Sequence, residues 1–248
     1  MKAMVFAAGA GQRLRPITEK TPKPLVPVAG RPMIEYPLLL LRHYGIEEII
    51  INLHHLGGQV EAYLGDGADL GLKIRYSQEA ELLDTGGGLL KAKPFLEDAT
   101  FIVINTDVLV DLPLAEVLAF HRRNAAGATL VLRPDAHADR YGSMDITADG
   151  RICRFLKTRM PEAPSTPVRK LMFTGVQVLE PMVFDYMPAP AETEKFSTTR
   201  DVYPKMLLQS DRLFGFSFDG FWQDLGTVER IKEAEERLSE GRVKLHYL

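Results

Sequence analysis

The sequence predicts an α/β fold with a mostly parallel central sheet, helices on both of its faces, and a small β-rich part. Three observations lead there. Short β-branched runs alternate with leucine-rich segments through the first half, as in strands joined by crossover helices. After Arg133 the alternation gives way to runs punctuated by glycine and proline, which read as hairpins. The length of 248 residues, with 46% hydrophobic and 25% charged residues, suits an ordinary globular α/β chain.

The elements follow in order. Residues 3–8 form an apolar run ending at Gly9, a buried strand. Residues 33–44 are dense in leucine, and Pro37 sits near their start, where a helix tolerates it. Strands are expected at 48–53, 73–76, 100–105 and 128–132, with helices at 57–64, 88–95 and 114–124. Residues 143–147 and 151–156 flank Ala148-Asp149-Gly150, a turn with glycine. The stretch 158–167 holds three prolines and reads as a surface loop. A strand at 172–179, a helix at 199–208, a strand at 213–218 and a charged helix at 228–239 complete the chain, with Thr227 as N-cap. No linker and no internal repeat is visible, so 1–248 reads as one domain.

Composition excludes several classes. Thirty Lys+Arg against 33 Asp+Glu give a formal charge of −3, so bulk positive charge does not recruit nucleic acid. No uncharged, proline-free apolar stretch reaches about 18 residues, so no membrane span is expected. The apolar run at the N-terminus is too short for a secretory signal. Cys153 is the single cysteine, which fits a reducing, cytoplasmic setting. The charge balance breaks in one place: within the first 23 residues Lys2, Arg13, Arg15, Lys20 and Lys23 face only Glu19.

Two of those cations sit in chemically suggestive places. Gly9-Ala10-Gly11-Gln12-Arg13 follows a predicted strand, and successive backbone N–H groups there can cradle phosphate oxygens. The loop is neither a Rossmann fingerprint nor a Walker A motif, and a tight turn beside a solvated arginine is the plain alternative. Lys23 stands among Pro22, Pro24 and Pro27, on a segment stiffened by fixed φ angles. Asp107 ends the strongest predicted strand, where open parallel sheets bind ligands. Asp224 precedes the last helix. A pair of carboxylates suits Mg²⁺, which takes one or two of them together with substrate phosphates, although spacing alone does not bring the two together. Lys157 ends a hairpin strand and points either to a cleft or to water. The histidines form no ligand cluster, His54-His55 being the only close pair. No Gly-x-Ser-x-Gly is present.

Together these segments resemble the sugar-1-phosphate nucleotidylyltransferases. The family pattern Gly-x-Gly-x-Arg-Leu-x-Pro-x-Thr reads here as Gly9 through Thr18, followed by Pro22-Lys23-Pro24-Leu25-Val26-Pro27-Val28 and Gly30-Arg31-Pro32. The resemblance continues through Thr85-Gly86-Gly87-Gly88, Asn105-Thr106-Asp107, Tyr141-Gly142, Phe173-Thr174-Gly175 and Trp222 to Thr227. It implies a Rossmann-like nucleotidyltransferase fold whose small β-rich part binds sugar, in a single catalytic domain without an acyltransferase β-helix. It implies a nucleoside triphosphate and a sugar 1-phosphate as substrates, and Mg²⁺ as cofactor. Arg13 and Lys23 would be catalytic. Ala8, Gly9, Gly11, Gln78, Glu79, Thr85 and Gly86 would bind the nucleotide. Gly142, Lys157 and Gly175 would bind the sugar phosphate, and Asp107 and Asp224 the metal. Where many members have Glu-Lys-Pro this chain has Leu156-Lys157-Thr158, and where they have Gly-Asp it has Thr106-Asp107. The Thr-Gly-Gly-Gly form is similar to two branches, the N-acetylmuramate 1-phosphate uridylyltransferases and the short mannose-1-phosphate guanylyltransferases.

Overall fold

The computed structural model describes residues 1–135, 143–162, 164, 167–189, 195–209 and 212–248. The chain is α/β, with a mixed sheet and flanking helices. It divides into two compact units, each assembled from separated stretches. One takes Met1–Leu82, Ile104–Leu112 and Gly220–Leu248, the other Leu83–Val103 and Pro113–Asp219. No shift in composition marks the crossings, which is why the sequence shows no linker.

In the first unit the chain runs through β1 (Lys2–Phe6), β2 (Pro27–Val28), β3 (Arg31–Pro32), α1 (Glu35–His43), β4 (Glu48–Leu53), α2 (Gly57–Leu64) and β5 (Lys73–Gln78). It re-enters this unit within β6 (Phe101–Asn105), then forms β7 (Val108–Val110). β4 lies between β1 and β5 and is parallel to both, with Met4 opposite Ile50 and Ile50 opposite Arg75. Every residue of β4 after Glu48 is buried, as a central parallel strand requires. Leu38, Leu40 and Leu41 of α1 are buried, and this apolar stripe faces β1.

Second-unit elements are α3 (Asp84–Lys91), α4 (Lys93–Leu96), α5 (Leu114–Arg123), β8 (Ala128–Arg133), β9 (Ser143–Ile146), β10 (Ile152–Phe155), β11 (Thr158–Arg159), β12 (Arg169–Leu179), α6 (Tyr203–Leu208) and β13 (Leu213–Ser217). The strands lie in the order β11-β10-β9-β12-β8-β13. All of these pairs are antiparallel except β8 with β13. Parallel pairing therefore dominates the first unit, while the β-rich character foreseen after Arg133 belongs to the second. The last elements, β14 (Trp222–Asp224) and α7 (Val228–Ser239), return to the first unit.

Several boundaries differ from expectation for local reasons. The helix expected at 88–95 starts at Asp84 and is interrupted at Ala92. Pro94 lacks the N–H needed to continue it, and three glycines of low helix propensity hide its first turn. Gly86 is nevertheless required there, because a Cβ would lie 2.3 Å from the Phe196 ring. The expected helix 199–208 is a π turn at Thr198–Val202 followed by α6. Thr158 and Arg159 lie in β11 rather than in a loop. β2, β3, β7 and β14, each two or three residues long, are too short to leave a period. Thr227 does cap α7, its hydroxyl accepting from the Arg230 N–H at 3.4 Å.

One anchor lies outside the ladders. Asp111, just past β7, accepts from the His246 backbone N–H at 3.0 Å and also pairs with the His246 ring. Leu245 and Tyr247, on either side of it, are buried.

In the second unit His121 is buried and shares its ring nitrogens between Thr129 Oγ1 at 2.8 Å and Glu180 Oε1 at 3.1 Å. Burial pulls its pKa below the ordinary imidazole value, against the opposing pull of the Glu180 carboxylate. A base with a depressed folded pKa takes up protons more readily when unfolded, so its contribution is present above the unfolded pKa of about 6.5 and lost as pH falls. The expected outcome is a melting temperature that drops as pH falls below about 6.5, with a flatter drop in His121→Gln. Equal slopes for the two proteins in thermal melts would remove His121 from the acid response.

Candidate active site

The glycine loop is built at the end of β1. The Ala7 N–H donates to Asn52 Oδ1 at 2.8 Å, and Asn52 Nδ2 donates to Glu79 Oε1 at 2.7 Å. Asn52 and Glu79 are both buried, so the ends of β1, β4 and β5 are tied by a solvent-shielded polar chain. Beyond it, Gly11 adopts φ +63°, and its carbonyl accepts from the Leu14 N–H at 2.9 Å and the Thr18 hydroxyl at 2.8 Å. A Cβ on Gly11 would lie 2.7 Å from Thr18 Cγ2 and 3.1 Å from Lys23 Cβ. The turn thus needs glycine on conformational and steric grounds. Gly9 is different: it is exposed, and a Cβ there would meet nothing within 4 Å. Its backbone is open to a ligand's approach. Ala8 beside it is buried.

Four charged residues assemble next to this loop. Lys23 opens a 3₁₀ turn after the extended Pro22, and its ammonium forms an ion pair with Asp107. Asp107 follows β6 and precedes β7, which pairs antiparallel with β14 so that Val108 faces Asp224. The Leu225 N–H donates to the Asp107 carbonyl at 2.9 Å. This register brings the two aspartates to one end of one ribbon, the step that spacing left open. Asp224 accepts from its own turn, the Gly226 N–H at 2.5 Å, and pairs with Arg230 at 2.7 Å. Arg13 completes the group. A Cβ on Gly226 would lie 2.5 Å from Arg13 Nη2 and 2.6 Å from Asp224 Oδ1, so the guanidinium rests against that glycine, beside the carboxylate.

The remaining candidates take separate places. Gln78 ends β5 and donates to Glu61 at 3.0 Å. Glu79 turns its carboxylate inward to Asn52, so its side chain supports the loop from behind. His54 and His55 act as braces, their ring N–H groups donating to the Glu79 and Thr18 carbonyls at 2.9 and 3.0 Å. In the second unit, the Thr85 hydroxyl accepts from the Thr198 N–H at 3.0 Å, and the Gly86 N–H donates to the Phe196 carbonyl at 2.8 Å. Lys157 is exposed in the turn joining β10 to β11, after Leu156 at φ +52°. Arg154 holds that turn, donating to the Leu156 carbonyl at 2.9 Å while gripping Asp145 with two bonds of 2.6 Å. Lys157, Arg154 and Arg200 line one open cavity of about 570 Å³. Gly175, at φ +87°, lies in a bulge of β12 between Phe173 and Gln177. Gly142 lies outside the described residues. Cys153 is a packing residue, its thiol pushed up by burial.

Asn52, Gly226 and Arg230 were not foreseen. Arg230 had one legible signal. It stands three residues after the helix cap Thr227, near the positive end of the helix dipole, where a cation is disfavoured unless a carboxylate compensates it.

The donor set fits a hard divalent cation. Among the described residues no group of three or more His, Cys, Asp or Glu could hold a metal alone. Two adjacent carboxylates completed by substrate oxygens are the arrangement Mg²⁺ uses with phosphates. Among the described residues no helix is long and apolar enough to cross a membrane.

The family model for nucleotidyl transferases matches residues 2–241. The chain is 35% identical over 243 residues to a UTP–glucose-1-phosphate uridylyltransferase of Synechocystis, covering 92% of this chain and 61% of that protein. It is 36% identical over 240 residues to the N-acetylmuramate alpha-1-phosphate uridylyltransferase of Neisseria meningitidis, covering 95% of this chain and 97% of that one. A mannose-1-phosphate guanylyltransferase of Mycobacterium tuberculosis is 34% identical, with 65% of its length covered. The chain therefore spans under two thirds of the Synechocystis and Mycobacterium relatives and nearly all of the Neisseria one. In fold it is similar to HddC of Yersinia pseudotuberculosis, solved with GMP-PN, at a TM-score of 0.76 and 23% identity over 96% of this chain and 99% of that chain. By this family match and a relative of equal span, the chain belongs to the nucleotidyl transferase family, among its sugar-1-phosphate nucleotidylyltransferases.

Proposed function

We propose that the protein transfers a nucleoside monophosphate from a nucleoside triphosphate to a sugar 1-phosphate, releasing pyrophosphate, with Mg²⁺ as cofactor. The observation that carries this reading is the grouping of Arg13, Lys23, Asp107 and Asp224 beside an open glycine loop. A protein that only senses a nucleotide needs no such set of paired charges. For the substrates we propose UTP and N-acetylmuramate 1-phosphate, on the support of the Neisseria relative's equal span. GTP with mannose 1-phosphate is the second reading, supported by the mycobacterial relative. CTP with phosphocholine is a more distant one.

The chemistry asks for alignment and charge rather than proton transfer. A phosphate monoester has a second pKa of about 6, so the attacking oxygen is already largely deprotonated at neutral pH. No general base is needed. The backbone of Ala8, Gly9 and Gly11 would receive the nucleotide, with Gln78, Glu79, Thr85 and Gly86 in the segments that face the base. Arg13 and Lys23 would offset the charge that grows on the leaving pyrophosphate. Asp107 and Asp224 would hold Mg²⁺, which when bound would supply positive charge to stabilise the negative charge of the reacting phosphates. Lys157, presented by the Arg154-held turn, would hold the sugar phosphate, with Gly142 and Gly175 along the sugar. Orienting two anions for in-line attack is itself a large part of the rate.

Three measurements test the reading. A matrix of four nucleoside triphosphates against several sugar 1-phosphates, followed by pyrophosphate release, is expected to select UTP with N-acetylmuramate 1-phosphate. Selection of GTP with mannose 1-phosphate would move the assignment to the second reading, and no release with any pair would end it. Asp107→Asn is expected to abolish Mg²⁺-dependent turnover in a folded protein, and retained turnover with ordinary metal dependence would remove Asp107 from the metal site. Gly226→Ala is expected to fold normally yet lose on the order of 10²-fold in rate, because the added methyl displaces the Arg13 guanidinium. Wild-type turnover in that variant would show that the position of Arg13 is unimportant.

A further inference from the structure

Both metal-site aspartates are already neutralised by this chain. Lys23 pairs with Asp107, and Arg230 with Asp224 at 2.7 Å. The Asp107 and Asp224 side chains are only 23% and 16% exposed, so these charges are partly shielded from screening by water. With Arg13 beside Asp224, three cations face the two carboxylates, a net charge of +1. A divalent cation arriving alone would meet no net attraction and would have to displace two bound cations. A cation arriving with a triphosphate meets a different balance, because the polyanion offers Lys23 and Arg13 new partners.

We infer that Lys23 and Arg230 serve as internal counter-ions that keep the nucleotide-free site from holding a divalent cation. Lys23 would hand its charge from Asp107 to the triphosphate as the nucleotide enters. Arg230, anchored in the first turn of α7, would swing off Asp224. Metal and nucleotide then bind as a coupled pair, each raising the affinity of the other. Arg230 becomes a positioning residue that sets the order of binding. This inference rests on the assignment of Asp107 and Asp224 to the metal.

The test uses Mn²⁺ as the probe, its free concentration read by electron paramagnetic resonance, on the nucleotide-free protein. Lys23→Gln and Arg230→Gln are each expected to bind Mn²⁺ about tenfold more tightly than wild type. Arg230→Lys keeps the charge and is expected to stay near wild type. The gain in Arg230→Gln is expected to vanish when Asp224→Asn is added. Unchanged or weaker Mn²⁺ binding in both glutamine variants would overturn the inference. If the gain survives in the presence of Asp107→Asn and Asp224→Asn, Mn²⁺ sits elsewhere, and the metal-site assignment falls with it. If the aspartate variants abolish Mn²⁺ binding while the glutamine variants leave it unaltered, only the counter-ion role falls. Thermal melts check folding, and should Arg230→Gln fail to fold, Lys23→Gln with Asp107→Asn carries the same comparison.

Discussion

The pairing of β7 with β14 is the constraint on which the site depends. Each strand has only three residues, yet their register sets Asp224 opposite Val108, the residue that follows Asp107. A shift of one residue would turn the Asp224 side chain to the opposite face of the ribbon, since side chains alternate along a strand. The register is therefore pinned from outside the ladder. On one side the Leu225 N–H closes onto the Asp107 carbonyl, and on the other the Asp111 N–H closes onto Phe221. A short ribbon held by such clasps fixes geometry that its own hydrogen bonds could not.

The glycine loop meets the same need by a different route. Loops usually satisfy their backbone with water, but this one hangs from a buried amide. Asn52 reads the Ala7 N–H with its oxygen and Glu79 with its nitrogen, so a flip of the amide would break both contacts. The polar core here imposes orientation, and the open backbone at Gly9 gains directional stiffness from the buried residues behind it.

Much of this was legible from residue order, and the omissions share a cause. β4, α2 and α7 appear where periodicity and capping put them, because long buried or amphipathic runs carry their own signal. The loop and its cations were legible because glycine, proline and arginine mark backbone shape and charge directly. What did not show were relations between distant segments. Asp107 and Asp224 come to one end of a ribbon whose strands are too short to have a period. Arg230 is a charged residue in a charged helix until its neighbour across the turn is known. Glu79 is a further case: its place in the chain says nothing of the buried bond that ties its carboxylate to Asn52. The division into two units was invisible for the same reason, since the chain changes unit in the middle of β6 and leaves no compositional trace.

The Asp111–His246 clasp ties residues 245–247 to the segment that follows β7. Asp111 lies just beyond the strand that follows Asp107, and it is held by the backbone and ring of a residue that would ordinarily be regarded as tail. Tyr247 and Leu245 bury themselves on either side of it. A substitution at His246 would reach the residue just past β7, more than a hundred positions away along the chain. His246 is thus a remote handle on the ribbon of β7 and β14, through a contact that does not touch the ribbon's own ladder.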